Sequence, residues 1–225
     1  MELLDILKVI AAVLALAIAI IGHEIMHGWV AHMYGDDTAK NAGRLTINPL
    51  VHIDLLGTII VPAALYFIPL LLGTSGGILF GWAKPVPIDM AKVMRRGGYN
   101  AAMQVDLAGI VYNFTLGAFA AIGLTVMSAP TTADSMFYVF TYILVYQLLI
   151  INVVLGVFNL LPIPQFDGGH FLMHLALKYK INSIAGFYYK YDRYGMFIVL
   201  IILMTPLNEY LLFMPVQFII HLLLS

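Results

Sequence analysis

The sequence predicts an all-α polytopic membrane protein. It has about four to six transmembrane helices and a re-entrant or short β segment between the first span and the second secure one. Two observations carry this. Hydrophobic residues make up 62% of the 225 residues and charged ones only 10%, against roughly a quarter charged in soluble domains. The mean hydropathy is +0.94, and the apolar residues fall in stretches long enough to cross a bilayer. At this length an extramembrane domain of usual size does not fit beside the spans, so a single membrane domain is expected, with a core at about 6–175 and a C-terminal helical block at 194–224. The net charge of -1 gives no basic bias toward nucleic acid. Cysteine is absent, so any metal must be held by His, Asp or Glu.

The first span is expected from about Ile6 to Met33. Its flank mixes Glu2, Asp5 and Lys8, and its apolar run leads into His23, Glu24 and His27, so it reads as retained rather than as a cleaved signal. A polar stretch follows from Tyr34 to Asp54, in which residues 43–47 alternate loosely and suggest a short strand. Residues Leu55 to Trp82 are apolar but broken by Gly57, Pro62, Pro69, Gly73, Gly76, Gly77 and Gly81. They read as a re-entrant segment, because non-helical backbone at membrane depth is tolerated only where protein or water covers it.

A basic loop, Ala83 to Asn100, holds Lys84, Lys92, Arg95 and Arg96, with Asp89 placed to cap a short helix. The second secure span covers about Ala101 to Met127, and the next runs from Phe137 to about Leu161. The linker between them carries no Lys or Arg, whereas basic residues flank the other ends. The positive-inside rule therefore puts the linker outside and the basic groups in the cytoplasm. The last apolar block, Tyr194 to Leu224, is interrupted at 205–209. It suits a hairpin of two short helices, or one span with a surface helix.

The sharpest chemical signal is His23, Glu24, Ile25, Met26, His27. On a helix, positions i and i+4 share a face one turn apart, so two imidazoles can grip one ion. Glu24 sits beside them, placed to act as a base on water rather than as a ligand. The pattern lies inside an apolar helix, where ionisable groups are costly and usually have a task. A catalytic zinc usually has three protein ligands and an open position. Asp167 is the best third candidate: Pro162 and Pro164 stop the preceding helix, and Gly168 and Gly169 permit close backbone approach. His170 and His52 are rivals. An ion path through His, Asp and Glu, and an inactive zinc-bound scaffold, are the competing functional readings.

At these residues the chain resembles the site-2 protease (M50) family of intramembrane zinc metalloproteases. The resemblance extends to residues 43–54, to Leu56-Gly57-Thr58, to residues 81–86, to Ala108 through Asn113, and to Phe158 through Gly169. It covers about residues 10–175, with no room for the PDZ or CBS domains that some members carry. It implies that His23, His27 and Asp167 hold one Zn2+ and that Glu24 is the base. It places Asn113 and Asn159 near the substrate backbone or the developing oxyanion. It further implies a membrane protein or membrane-anchored peptide as substrate. A prokaryotic inner membrane is the expected location, and His23, ten residues before Met33, puts the site nearer the cytoplasmic face. A separate adaptor could select the substrate. Ile110 stands where the family usually has proline, and Gln165-Phe166 where it has proline-leucine.

Overall fold

A computed structural model of the chain describes residues 3–61, 63, 64 and 82–225. Helix α1 (Leu3–Met33) is the first span. Its buried positions recur every fourth residue, at Ala11, Ala15, Ala19, His23, His27 and Ala31. Small side chains on one ridge let neighbouring backbones approach closely where lipid provides no hydrophobic drive. The two histidines continue that ridge, so the packing that seats α1 also turns both imidazoles inward. Large apolar residues of the same helix, such as Val13 and Leu16, lie outward.

After the short helix α2 (Thr38–Asn41), α3 runs Met90–Thr125. Asp89 caps it by accepting from the Lys92 amide at 3.3 Å. Gly98, with φ 62°, breaks it, so the apolar crossing follows that residue. Helix α4 (Met136–Leu160) is capped by Ser135, which accepts from the Tyr138 amide. Helices α1, α3 and α4 pack pairwise into the three-helix core. Helix α5 (Asp167–Lys178) lies on α3, and α6 (Asn182–Tyr191) on α5. Helices α7 (Gly195–Met204) and α8 (Met214–Leu224) complete the chain, with α8 on α3 and α4.

Two expectations are corrected. Among the described residues three helices are long and apolar enough to cross, or four if the bent pair Asn182–Met204 and Glu209–Leu224 is one span. That pair bends by 98°, so composition alone overcounts crossings in the C-terminal block. The expected β segment is also absent: no strand occurs among the described residues. Residues 43–47 instead form bends. Gly43 has φ 64°, the Arg44 amide bonds back to the Ala39 carbonyl, and the Thr46 hydroxyl takes the Asn48 amide. Such local bonds compete with a ladder. Pro49–His52 is a 3₁₀ turn and Leu55–Ile60 a π-helical turn.

The re-entrant course expected between Leu55 and Trp82 falls mostly on residues 65–81, outside the described residues. Its two ends meet. The Trp82 amide donates to the Gly57 carbonyl at 3.0 Å, and the Lys84 amide to the His52 carbonyl at 2.9 Å. Arg44 also donates to the Lys84 carbonyl at 2.6 Å.

Candidate metal centre

Three side chains from two separate parts of the chain converge. His23 Nε2 and His27 Nε2 are 3.0 Å apart, and Asp167 Oδ2 lies 3.0 Å from the first and 3.2 Å from the second. One helix turn supplies both imidazoles, whose rings meet edge to face at 73°. Asp167 arrives from the turn after α4. There Gln165 takes the left-handed region at φ 83°, and a Cβ on Gly168 or Gly169 would strike the carbonyls of Leu160 or Ile163. Only glycine lets the start of α5 tuck under the end of α4 and bring the carboxylate in.

The surroundings determine which imidazole nitrogens carry protons. His27 Nδ1 lies 2.7 Å from the Val105 carbonyl oxygen, which can only accept, so Nδ1 holds the hydrogen. His23 Nδ1 lies 2.6 Å from Asn113 Oδ1 and likewise donates. In the neutral rings both Nε2 atoms therefore point bare lone pairs at Asp167 Oδ2, a buried oxygen with no hydrogen-bond partner. Three acceptors converge with no donor between them, which is the donor set a cation completes. Four ligands at the ~2.0–2.1 Å of zinc–nitrogen and zinc–oxygen bonds stand about 3.4 Å apart in a tetrahedron. The separations of 3.0–3.2 Å are close to that. This cluster is capable of coordinating a metal ion.

The remaining residues singled out from the sequence are placed as follows. Glu24 stands beside the trio and does not join it; its Oε2 accepts from the Val86 amide at 2.8 Å. Val86 belongs to the irregular stretch 82–89 that packs on α1: a Cβ on Gly28 would lie 2.7 Å from Leu45 and 2.9 Å from Val86. Asn113 is fully buried and bonds to His23. Asn159 donates to the Leu155 carbonyl of its own helix at 3.0 Å and makes no bond to the trio. The rival ligands are engaged elsewhere: His52 Nε2 with the Thr46 carbonyl at 2.9 Å, and His170 with Asp192 at 3.2 Å.

Several contributors are not named by the sequence reading. The Val105 carbonyl and the Val86 amide are backbone groups, which no residue type announces. Asp106, His174 and Asn152 do carry a signal, since each is a polar side chain in or beside an apolar helix. All three are buried.

The model of "Peptidase family M50" matches residues 131–204, the part that contains Asp167. The Bacillus subtilis (strain 168) protein named "Putative zinc metalloprotease YwhC" is 32% identical over 212 residues, spanning 89% of this chain and 83% of that protein. No solved structure matches the chain. Identity at this level over most of both chains, together with the family match across the Asp167 turn, shows that this membrane protein belongs to peptidase family M50.

Proposed function

We propose that the protein is a compact intramembrane zinc endopeptidase, a single membrane domain that hydrolyses peptide bonds of transmembrane or membrane-anchored proteins. The observation that supports this most is the convergence of His23, His27 and Asp167 beside Glu24, a carboxylate that is not one of them. A structural metal site has no need of the fourth group.

His23, His27 and Asp167 would hold the zinc, which when bound supplies Lewis-acid polarisation of the scissile carbonyl and of water. Glu24 takes the proton from the attacking water and passes it to the departing amine. The Val86 amide orients the Glu24 carboxylate for that task. Asn159, with its side chain on the Leu155 carbonyl in this structure, would approach the substrate or the oxyanion after a rotamer change.

His23 precedes the end of α1 by ten residues, about 15 Å along a helix. The site is thus inside the bilayer, on the end of α1 that leads to Lys40, Arg44 and Lys84. The positive-inside rule makes that end cytoplasmic. A helical substrate hides its carbonyls in backbone bonds and must unwind locally before attack. An adaptor protein would serve substrate choice.

The test is reconstitution in vesicles with a panel of transmembrane peptides, read by mass spectrometry of the products. Cleavage that stops on chelation and returns with zinc supports the proposal. Turnover that is indifferent to chelation refutes it.

A further inference from the structure

Asn152 lies on α4, seven residues before Asn159, and is fully buried. Its amide nitrogen donates to the Leu148 carbonyl at 2.8 Å. Its Oδ1 accepts from Asn113 Nδ2 at 2.9 Å, and the same nitrogen of Asn113 lies 3.3 Å from the Ala19 carbonyl. Asn113 Oδ1 is then left facing His23 Nδ1 at 2.6 Å. One chain of bonds thus links α4, α3 and α1.

The direction of that chain follows from its fixed end. A backbone carbonyl only accepts, so Leu148 turns the amino side of Asn152 toward itself and the oxygen side toward Asn113. That oxygen in turn demands the amino side of Asn113, whose oxygen then demands a proton on His23 Nδ1. Were Asn113 flipped, its oxygen would face two acceptors, Asn152 Oδ1 and the Ala19 carbonyl. His23 would have to carry its proton on Nε2, where it would donate to Asp167 Oδ2 and cease to offer a lone pair. Orientations of amides and imidazoles are decided by networks of this kind.

We infer that Asn152 is a positioning residue of the metal centre: it locks the Asn113 amide and so keeps His23 in the tautomer that can ligate a metal. The inference rests on the proposed metal-binding reading of the site. It does not rest on cleavage.

The experiment compares zinc affinity of detergent-purified wild type, Asn152→Leu and Asn152→Asp, by competition with a chromophoric chelator. Leucine fills the space without a hydrogen bond. A buried aspartic acid, held neutral, keeps one donor and one acceptor in the same places. Loss of a residue supporting a ligating histidine typically costs about 10–100-fold in metal affinity. Asn152→Leu should show a loss in that range, and Asn152→Asp should stay within about threefold of wild type. An overpacked leucine at this buried position would also lower affinity, so the ¹⁵N spectra of the His23 imidazole in metal-free wild type are recorded beside it; an unchanged Asn152→Leu, or a proton on His23 Nε2, overturns the inference while leaving the metal site standing. Absence of zinc binding by wild type overturns both. Should Asn152→Leu fail to fold, ¹⁵N spectra of the His23 imidazole in metal-free wild type decide: a proton on Nδ1 supports the lock, and one on Nε2 refutes it.

Discussion

His174 Nδ1 lies 2.6 Å from Asp106 Oδ2, a buried hydrogen-bonded pair that ties α5 to α3. Asp106 follows Val105, whose carbonyl holds the His27 ring. One turn of α3 therefore positions both a histidine of the trio and the helix that begins with Asp167. Removing one partner of a buried pair strands the other. His174→Leu should therefore destabilise the protein by about 1–3 kcal/mol. The double variant Asp106→Leu/His174→Leu should recover much of that loss, as read by unfolding in mixed micelles. A His174→Leu protein as stable as wild type would show that the pair does not anchor α5.

Glu24→Gln keeps an acceptor for the Val86 amide but cannot take a proton. Zinc content should be unchanged. Peptide cleavage should fall by the factor a general base supplies, about 10²–10⁴. Full activity would remove Glu24 from the mechanism.

Asp167→Ala removes one of three converging donors. His52 and His170 lie outside the cluster, with ring nitrogens on the Thr46 carbonyl and on Asp192. Zinc measured after dialysis should fall from one ion per chain to a small fraction of that. Retained stoichiometric zinc would assign the third ligand elsewhere.

Gly109 gives the His23 ring its room: a Cβ there would lie 2.5 Å from three atoms of the imidazole. Gly109→Ala must push the ring or part α1 from α3. Overpacking of this sort costs about 1–3 kcal/mol. Zinc affinity should fall with stability, whereas Gly186→Ala, inside α6 with nothing within 4 Å, should leave zinc affinity unchanged and raise stability slightly.

Asp36, just beyond α1, joins the start of α3 to the end of the first span. It is fully buried and accepts from Thr38, from the Asp89 amide at 2.6 Å and from Lys92 at 3.4 Å. Burial alone would raise its pKa. The Thr38 hydroxyl, the Asp89 and Thr38 amides and Lys92 outweigh that and hold it below the ordinary 3.8. A depressed folded value means the unfolded chain binds the proton more readily. The stabilisation is complete above 3.8 and is lost as pH falls through the folded value. Asp36→Asn should melt below wild type at about pH 6, with the gap closing as the medium is acidified. A gap independent of pH would mean that the charge contributes nothing.

The parts of the site legible in the sequence are those set by local spacing. His23 and His27 are four residues apart on one helix, and Asp167 is marked by prolines that end α4 and glycines that allow close approach. Pairing between helices is not local. That Asn113 meets His23, or Asp106 meets His174, depends on how α3 and α5 sit on their neighbours. The loose alternation at 43–47 suggested a strand because apolar spacing does not register the bonds of Arg44, Thr46 and Asn48 to nearby groups. The interruption at 205–209 is legible in the sequence, but the 98° bend there is not, and among the described residues three helices, or four with the bent pair as one span, are long and apolar enough to cross.

The most direct test is zinc K-edge X-ray absorption on the purified wild-type protein. One zinc per chain, with two imidazole nitrogens and oxygen donors at about 2.0–2.2 Å, is the predicted result. A protein that takes up no zinc, or holds it without two imidazoles, would contradict the assignment of His23, His27 and Asp167 as its ligands.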